Sequence, residues 1–598
     1  MTDKLHQRIF LTAFLWLPTY AIGQASDPAP EPIQPHLFPS EKLFLSRIAR
    51  RSISDAQAQR SMYEPSYVPN RLQSIQREVI IRLRQDGYLL CAGVGAKAPI
   101  SLAIRDAALG AFELLKKSKV TDFAQVDRLL MEIEVIGDAV DIPFQGDWTQ
   151  PRALNAFVEP GIDGLILIGQ QSQHRFSPTE FFTNDMTLSA SLKNLAQYTL
   201  SDPSKVLKTR LLRFRTAHWY QPHTGADIVS LSRGLTIIPQ ENITRQRLDE
   251  AIESLGAYLV YRQKPNGLFT YQYEPALDRY SDEDNLVRQI GATTAIAAYA
   301  TWSGRSAAIA AADIAIRYHM KGVTKVPHVA QASFLATADG KHKLGVTALF
   351  CQALATHPQA DRFLDTRKKL VNGMLWLQRP SGLFVTAFPP AESIGAQDYF
   401  PGEALLAMAT HYHQYPDERI FDAFNKAIQF YRPYFHERPT PAFIPWQVQA
   451  FTQMTTHAQR GDYDDYVFEL TDWLASKQLS RDNCDWPELW GGIAAYQTGR
   501  AGVSTASYLE GFTDALALAK RRGDHVRANR YERVVRQAAR FVIQLQFRDN
   551  EAYFVRSRQD AVGGIRTTPT LNLLRIDHVQ HALNALMKTR QVLYGRPG

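Results

Sequence analysis

The sequence predicts a mainly α protein, with a smaller N-terminal α+β domain ahead of a C-terminal array of paired helices. Three observations predict it. First, Gln397–His413 (QDYFPGEALLAMATHYH) opens like a helix, with Pro401 at a first-turn position, Glu403 close behind, and apolar or small residues on nearly every side from Ala404 to Ala409. Proline fits where its missing N–H is not needed, and a carboxylate suits the positive end of the helix dipole. A helix apolar all round is enclosed by other helices. Second, further Ala-, Gly- and Thr-rich segments of this kind alternate with amphipathic ones through the second half of the chain. Third, a phrase recurs there, a helix running into a turn and a short extended piece: Gln263–Phe269 (QKPNGLF), Gln378–Phe384 (QRPSGLF) and Gln546–Phe554. Internal repetition of this sort marks a repeated supersecondary unit.

At 598 residues the chain is too long for one ordinary core. Apolar residues make up 45% and charged residues 21%, a globular composition. The net charge of +8 would suit an acidic partner such as a uronate-bearing polysaccharide, but it is also an ordinary value for an exported protein. No dense Lys/Arg run with interleaved aromatics occurs, so nucleic acid is not expected as a partner. Cys91, Cys351 and Cys484 lie far apart and form no metal-ligand spacing, so the reading is buried free thiols and no metal or other cofactor.

Residues 1–25 read as a secretory signal: Lys4 and Arg8, then the apolar stretch Ile9–Ile22, then Gly23 and Ala25 before a cleavage site. The apolar stretch is too short to span a bilayer comfortably. A periplasmic or secreted protein with no integral membrane span after cleavage is expected. Residues 26–69 read as a Pro-rich flexible leader (Ser26–Pro39) and a helical lead-in (Glu41–Arg60).

Residues 70–225 have α+β texture. Leu72–Arg84 shows helical spacing, Tyr88–Gly95 is a short strand with a Gly-rich end, and Pro99–Lys117 is an amphipathic helix. Leu129–Val140 alternates like a half-buried strand, Gly164–Gly169 is another strand, and Ser204–Tyr220 closes the region. The order LLCAG, AIRDAALGAF, MEIEVI, EPGIDGLILIG, RFSPTEF and LLRFRT resembles the AMMECR1 domain. That resemblance implies an α+β module, with a protein partner left unknown. Where the family carries an LRGCIG-like hexapeptide this chain reads LLCAGVG, and Cys91 is read as a small buried residue at a strand end.

From residue 240 to 598 the expected inner helices are Asn285–Trp302, Leu344–Thr356, Pro401–His413, Trp446–His457, Thr505–Arg521 and Asp577–Arg590. The expected outer helices are Arg245–Gln263, Arg305–Met320, Ala360–Leu377, Glu418–Phe435, Asp464–Gln478 and Val526–Gln546. Small side chains suit helices packed about a common axis, and Lys, Arg and Glu along one face suit solvent. Six inner and six outer helices resemble an (α/α)6 toroid. The phrases RYSDEDNLVRQIGA, QDYFPGEALLA, STASYLEGFTDALALAKRRGD and RIDHVQHALNALM are similar to six-hairpin glycosidase-like proteins. The resemblance implies a fold that hosts glycosidases, lyases, epimerases and non-catalytic members.

Polar residues gather at the N-terminal ends of the inner helices, where a shared cavity is expected. Glycoside hydrolysis uses two carboxylates, one kept protonated, and sugars stack on aromatic faces. The candidate catalytic residues are Asp284, Asp398, Glu403, Glu510 and Asp577. The candidate substrate-binding residues are Arg288, Tyr399, Trp446, Trp486, Trp490 and His578. Asp284 also reads as a helix cap and Glu403 as a dipole partner. His578 and His581, one turn apart, read as core histidines. Asp462–Asp465 (DYDD) has the spelling of proton-initiated terpene cyclases, but it falls where acids favour a helix start. The functional reading is an exported glycoside hydrolase acting on a bacterial polysaccharide or oligosaccharide. The alternatives are a lyase or epimerase acting on uronates, and a non-catalytic periplasmic glycan-binding or scaffold protein.

Overall fold

The computed structural model describes residues 31–118, 123–143, 154–170, 172–199, 209–326, 329, 331–389, 391–457, 460–494 and 500–596. The expected signal segment and the start of the leader, residues 1–30, lie outside them.

The N-terminal part is built on an antiparallel sheet of β1 (Gln76–Gln85), β2 (Tyr88–Pro99), β3 (Leu130–Ile136), β4 (Asp163–Ile168), β5 (Gln173–Phe176) and β6 (Arg210–Gln221). Their order is β2-β1-β3-β6-β4-β5, and the short strands Val140–Asp141 and Val229–Leu231 pair with β6. Helices α1 (Pro39–Gln57) and α2 (Ile100–Lys117) cover one face. Gly93 and Gly95 of β2 lie so close to α2 that a Cβ there would meet helix backbone within 2.1 and 1.8 Å. Two expectations are corrected. Leu72–Arg84 is strand over most of its length, because its β-branched residues alternate across the sheet, with Val79 and Ile81 packed beneath the helices and Ile80 clustered with Phe214 on the other face. Residues 31–38 of the leader are anchored: Glu31 bridges Arg213 (2.9 Å) and Arg215 (2.5 Å), and Gln34 donates to the Thr216 carbonyl (3.0 Å).

The remainder is a closed ring of paired helices. The inner helices are α4 (Leu286–Ser303), α6 (Leu344–Thr356), α8 (Phe400–Gln414), α10 (Ile444–Met454), α12 (Ser504–Arg522) and α14 (Ile576–Tyr594). Each packs beside the next, and α14 closes on α4. Outside them run α3 (Arg245–Arg262), α5 (Ser306–Met320), α7 (Leu364–Trp376), α9 (Glu418–Glu437), α11 (Gly461–Ala475) and α13 (His525–Leu545). This is the (α/α)6 toroid expected from the alternation of small-residue and amphipathic segments. The DYDD acids sit at the start of α11, with Asp462 paired to Arg460 (2.6 Å) and Asp464 to Arg522 (2.6 Å), as helix-start acids should.

The recurring Gln phrase ties the outer helices together. Gln263 donates through Nε2 to the Ala311 carbonyl of α5 (2.8 Å), Gln378 to Ala423 of α9 (2.8 Å), Gln478 to Val534 of α13 (3.0 Å), and Gln546 to Ala251 of α3 (3.3 Å). Each turn also carries a glycine at φ between 92° and 100° (Gly267, Gly382, Gly491, Gly563), pressed against the carbonyl three residues further along the same neighbouring helix. Such φ values favour glycine, and no side chain would fit against that carbonyl. The partner of the Gln546 turn is Ile565, not the Phe554 of the sequence phrase, and the Gln478 copy was hidden by its longer loop.

The two parts share a polar seam. Arg233, in a two-residue turn with Gly234, pairs with Glu488 (2.8 Å) and Glu159 (2.5 Å). Inside the sheet domain Glu132 accepts from Arg84 (2.8 Å), His218 (3.0 Å) and Tyr553 (3.0 Å), the last from the toroid. Burial pushes the Glu132 carboxyl up, but Arg84, His218 and Arg82 outweigh it and hold it well below the usual range. The three cysteines are unpaired, and Cys91 bonds the Ala111 carbonyl (3.2 Å) with its thiol pushed up to about 11 by burial.

Candidate functional site

A chamber of about 630 Å³ runs along the ring axis. It lies within the size range of ligand cavities, roughly 300–1,000 Å³. Its walls come largely from the middle and C-terminal halves of the inner helices: Thr294 and Trp302 of α4, Gln352 of α6, Gln414 of α8, Gln449 and Gln453 of α10, and Asn584 and Lys588 of α14, with Gln580 nearer the start of α14. Glu403, Trp446 and Glu510 form its far end, near the helix N-termini. The expected cavity at the N-terminal ends is thus displaced along the axis.

Glu403 sits in the first turn of α8 and is 6% exposed. Space for it comes from Gly345 on α6, where a Cβ would come within 2.3 Å of Glu403 Oε2. That oxygen has no hydrogen-bond partner among the described residues. Burial pushes the Glu403 carboxyl up to about 8, against a smaller downward pull from His581. It is therefore a protonated acid at neutral pH. On α12, Glu510 Oε1 lies 2.8 Å from His581 Nδ1 of α14. Burial pulls the His581 pKa down, but the hydrogen bond and charge of Glu510, with Asp577 and Glu403, outweigh it and raise it. The Trp446 ring meets His581 edge-on at 5.8 Å. The arrangement holds a carboxylic acid, a carboxylate–imidazole pair and an aromatic ring at one end of the chamber, a set able to give and take protons.

Of the candidates expected from sequence, Glu403, Glu510 and Trp446 line the chamber. The others do not, for identifiable reasons. Asp284 is exposed, and its Oδ1 accepts from Asn285 N and Gln289 Nε2, both at 2.8 Å. Asp398 accepts from Tyr434 (3.0 Å), and Tyr399 is 41% exposed outside the chamber. Asp577 is bound by Arg575 (2.8 Å) and Arg288 (3.1 Å). Burial pushes its carboxyl up, but His578, Arg575 and Arg288 bring it down to about 2, which disqualifies it as a proton donor near neutrality. Arg288 is occupied by that pair and by Tyr271. His578 is buried, faces the Ile565 carbonyl (3.3 Å), and is brought down to about 4 chiefly by burial. Trp486 stacks on Arg215 (4.9 Å) and Arg233 (5.8 Å) of the sheet domain and so serves the domain seam, and Trp490 Nε1 donates to the Cys484 carbonyl (2.7 Å) within its own loop.

Two groups escaped sequence reasoning. His581 is the partner of Glu510 and not a core histidine. The amide stripe of the chamber was also readable: Gln580, Asn584, Lys588 and Gln591 fall on one face of a helix that is otherwise buried.

Neither a family model nor a curated protein matches the sequence. Among solved structures, a cellobiose 2-epimerase from Bacillus thermoamylovorans is similar at 11% identity, over 57% of this chain and 99% of its own, with a TM-score of 0.44. A family 76 glycoside hydrolase from a bovine Bacteroides thetaiotaomicron strain is similar at 9% identity, over 76% and 96%, with a TM-score of 0.43. An uncharacterized protein from Pyrococcus horikoshii is similar at 18% identity, over 32% and 95%, with a TM-score of 0.28. The ring described above rests on its own packing and not on these likenesses.

Proposed function

We propose that the chain is an exported carbohydrate-active enzyme, a glycoside hydrolase whose reaction takes place at the Glu403 end of the axial chamber. The observation that carries the reading is Glu403 itself, a buried carboxyl at the wall of the axial chamber, kept protonated at neutral pH. In this role Glu403 gives its proton to the glycosidic oxygen as the bond to the anomeric carbon breaks. Glu510, oriented by His581, is the second carboxyl that meets the cationic sugar ring or directs the attacking water. Trp446 offers an apolar wall to the ring face. The AMMECR1-like part would be a non-catalytic module, and the expected signal segment would carry the protein to the periplasm or beyond.

A second reading has its own observation. His581 beside Glu510 is a histidine–carboxylate pair whose neutral imidazole would take a proton from a sugar carbon, as a lyase or epimerase requires. Incubation of the protein with a panel of neutral and uronate-containing polysaccharides tests both. Reducing ends without absorbance of an unsaturated uronate support hydrolysis, and reducing ends with that absorbance support a lyase. A stereochemical change in the sugar without chain cleavage supports an epimerase. Retention on a polysaccharide column with none of these supports a binding or scaffold role.

A further inference from the structure

The chamber wall is rich in carboxamides and poor in uncompensated charge. Gln352 Oε1, Asn584 Oδ1 and Glu403 Oε2 are buried acceptors with no partner among the described residues. Gln449 and Gln453 have their carbonyl oxygens taken by Lys588 (2.6 Å) and Thr410 (3.0 Å), and their NH2 groups bond no described residue. With those of Gln352 and Asn584, which likewise bond no described residue, four carboxamide NH2 groups remain on the wall of one space. Left unsatisfied, such groups cost stability, and they are what a ligand with its own donors and acceptors would recover. A hydroxyl is such a group, since it donates once and accepts twice. Leu349, Leu406 and Met587 supply apolar wall between the amides.

The charges along the wall cancel locally. Lys588 is held by Asp514 (2.9 Å), and Glu510 by His581 (2.8 Å). Arg596, which is exposed, also lines the chamber. A carboxylate carried to the Glu403 end of this space would lose its hydration beside the Glu403 and Glu510 carboxyls, where His581 is already paired, which is strongly unfavourable. We propose that the chamber selects an uncharged, hydroxyl-rich sugar ring over a uronate, with Gln352 and Asn584 as specificity-determining contacts. This rests on the carbohydrate reading above and narrows it. It also goes against what the basic net charge of the chain suggests.

The test is calorimetric titration of the Glu403→Gln protein, in which turnover is suppressed. The ligands are neutral trisaccharides (cellotriose, maltotriose, mannotriose) and trisaccharides of galacturonate and glucuronate. At least one neutral trisaccharide should bind, with the uronates weaker by roughly tenfold or more. Gln352→Leu and Asn584→Leu should each weaken that binding by roughly tenfold, while Arg596→Ala leaves it within about twofold. Where a leucine variant fails to fold, the ligand ranking and the Arg596→Ala result still decide. Tighter uronate binding, or loss of binding in Arg596→Ala, overturns the inference and leaves the carbohydrate reading standing. Binding of neither class overturns the carbohydrate reading itself.

Discussion

His581 Nδ1 lies 2.8 Å from Glu510 Oε1, joining two adjacent inner helices, and the same imidazole acts electrostatically on Glu403. A positive His581 favours the charged form of Glu403 and so lowers its pKa. Replacing His581 by Gln should therefore move the Glu403 pKa further up. In a profile of kcat/KM against pH, the basic limb should shift to higher pH in His581→Gln. An unmoved limb would show that the two groups are not coupled.

Glu403 also makes stability depend on pH. Its folded pKa of about 8 lies above the ordinary value of 4.5. The folded state therefore holds a proton that the unfolded chain releases, so stability falls as pH rises from about 4.5 through about 8. Below that window both states are protonated and the term is complete. The span of about 3.5 pK units corresponds to roughly 4–5 kcal/mol, an order of magnitude for a fully buried group. Urea unfolding of Glu403→Gln should lose this slope and gain on the wild type at pH 8. A parallel pair of curves would contradict the assignment.

The Gln–Gly turns predict a contrast between two glycines. Gly382 has φ 94°, and a Cβ there would come within 2.1 Å of the Lys426 carbonyl. Gly304 has φ 62° and open space around it. Gly382→Ala should cost roughly 2–4 kcal/mol or prevent folding, because strain and overlap add, while Gly304→Ala should cost about 1 kcal/mol. Thermal melts of the two variants check this. Equal losses would remove the tight turn from the account of how the outer helices are fixed.

Much of this architecture could be read before any coordinates. The inner helices declared themselves because a helix surrounded by others needs small side chains all round, as in Ala404–Ala409 and Ala295–Ala298. The strand at Val79–Ile81 was misread because three consecutive apolar residues satisfy a helical face and a buried strand alike. The site was half legible. Carboxylates at helix starts are favoured by the dipole wherever the helix lies, so Asp284 and Asp577 looked the same as Glu403 in sequence. What separates them is lateral: Gly345 on the neighbouring helix leaves room for Glu403, and Arg575 and Arg288 claim Asp577. Those partners are distant in sequence, and no spacing rule finds them.

The central claim is that Glu403 is the proton donor of the chamber and Asp577 is not. Release of reducing ends from the best neutral substrate, followed from pH 5 to pH 9, tests it in the wild type, Glu403→Gln and Asp577→Asn. Wild-type turnover should show a basic limb near pH 8. Glu403→Gln should lose roughly 10²–10⁴-fold, and whatever activity Asp577→Asn keeps should retain the limb. Full activity in Glu403→Gln, or loss of the limb in Asp577→Asn alone, would contradict it.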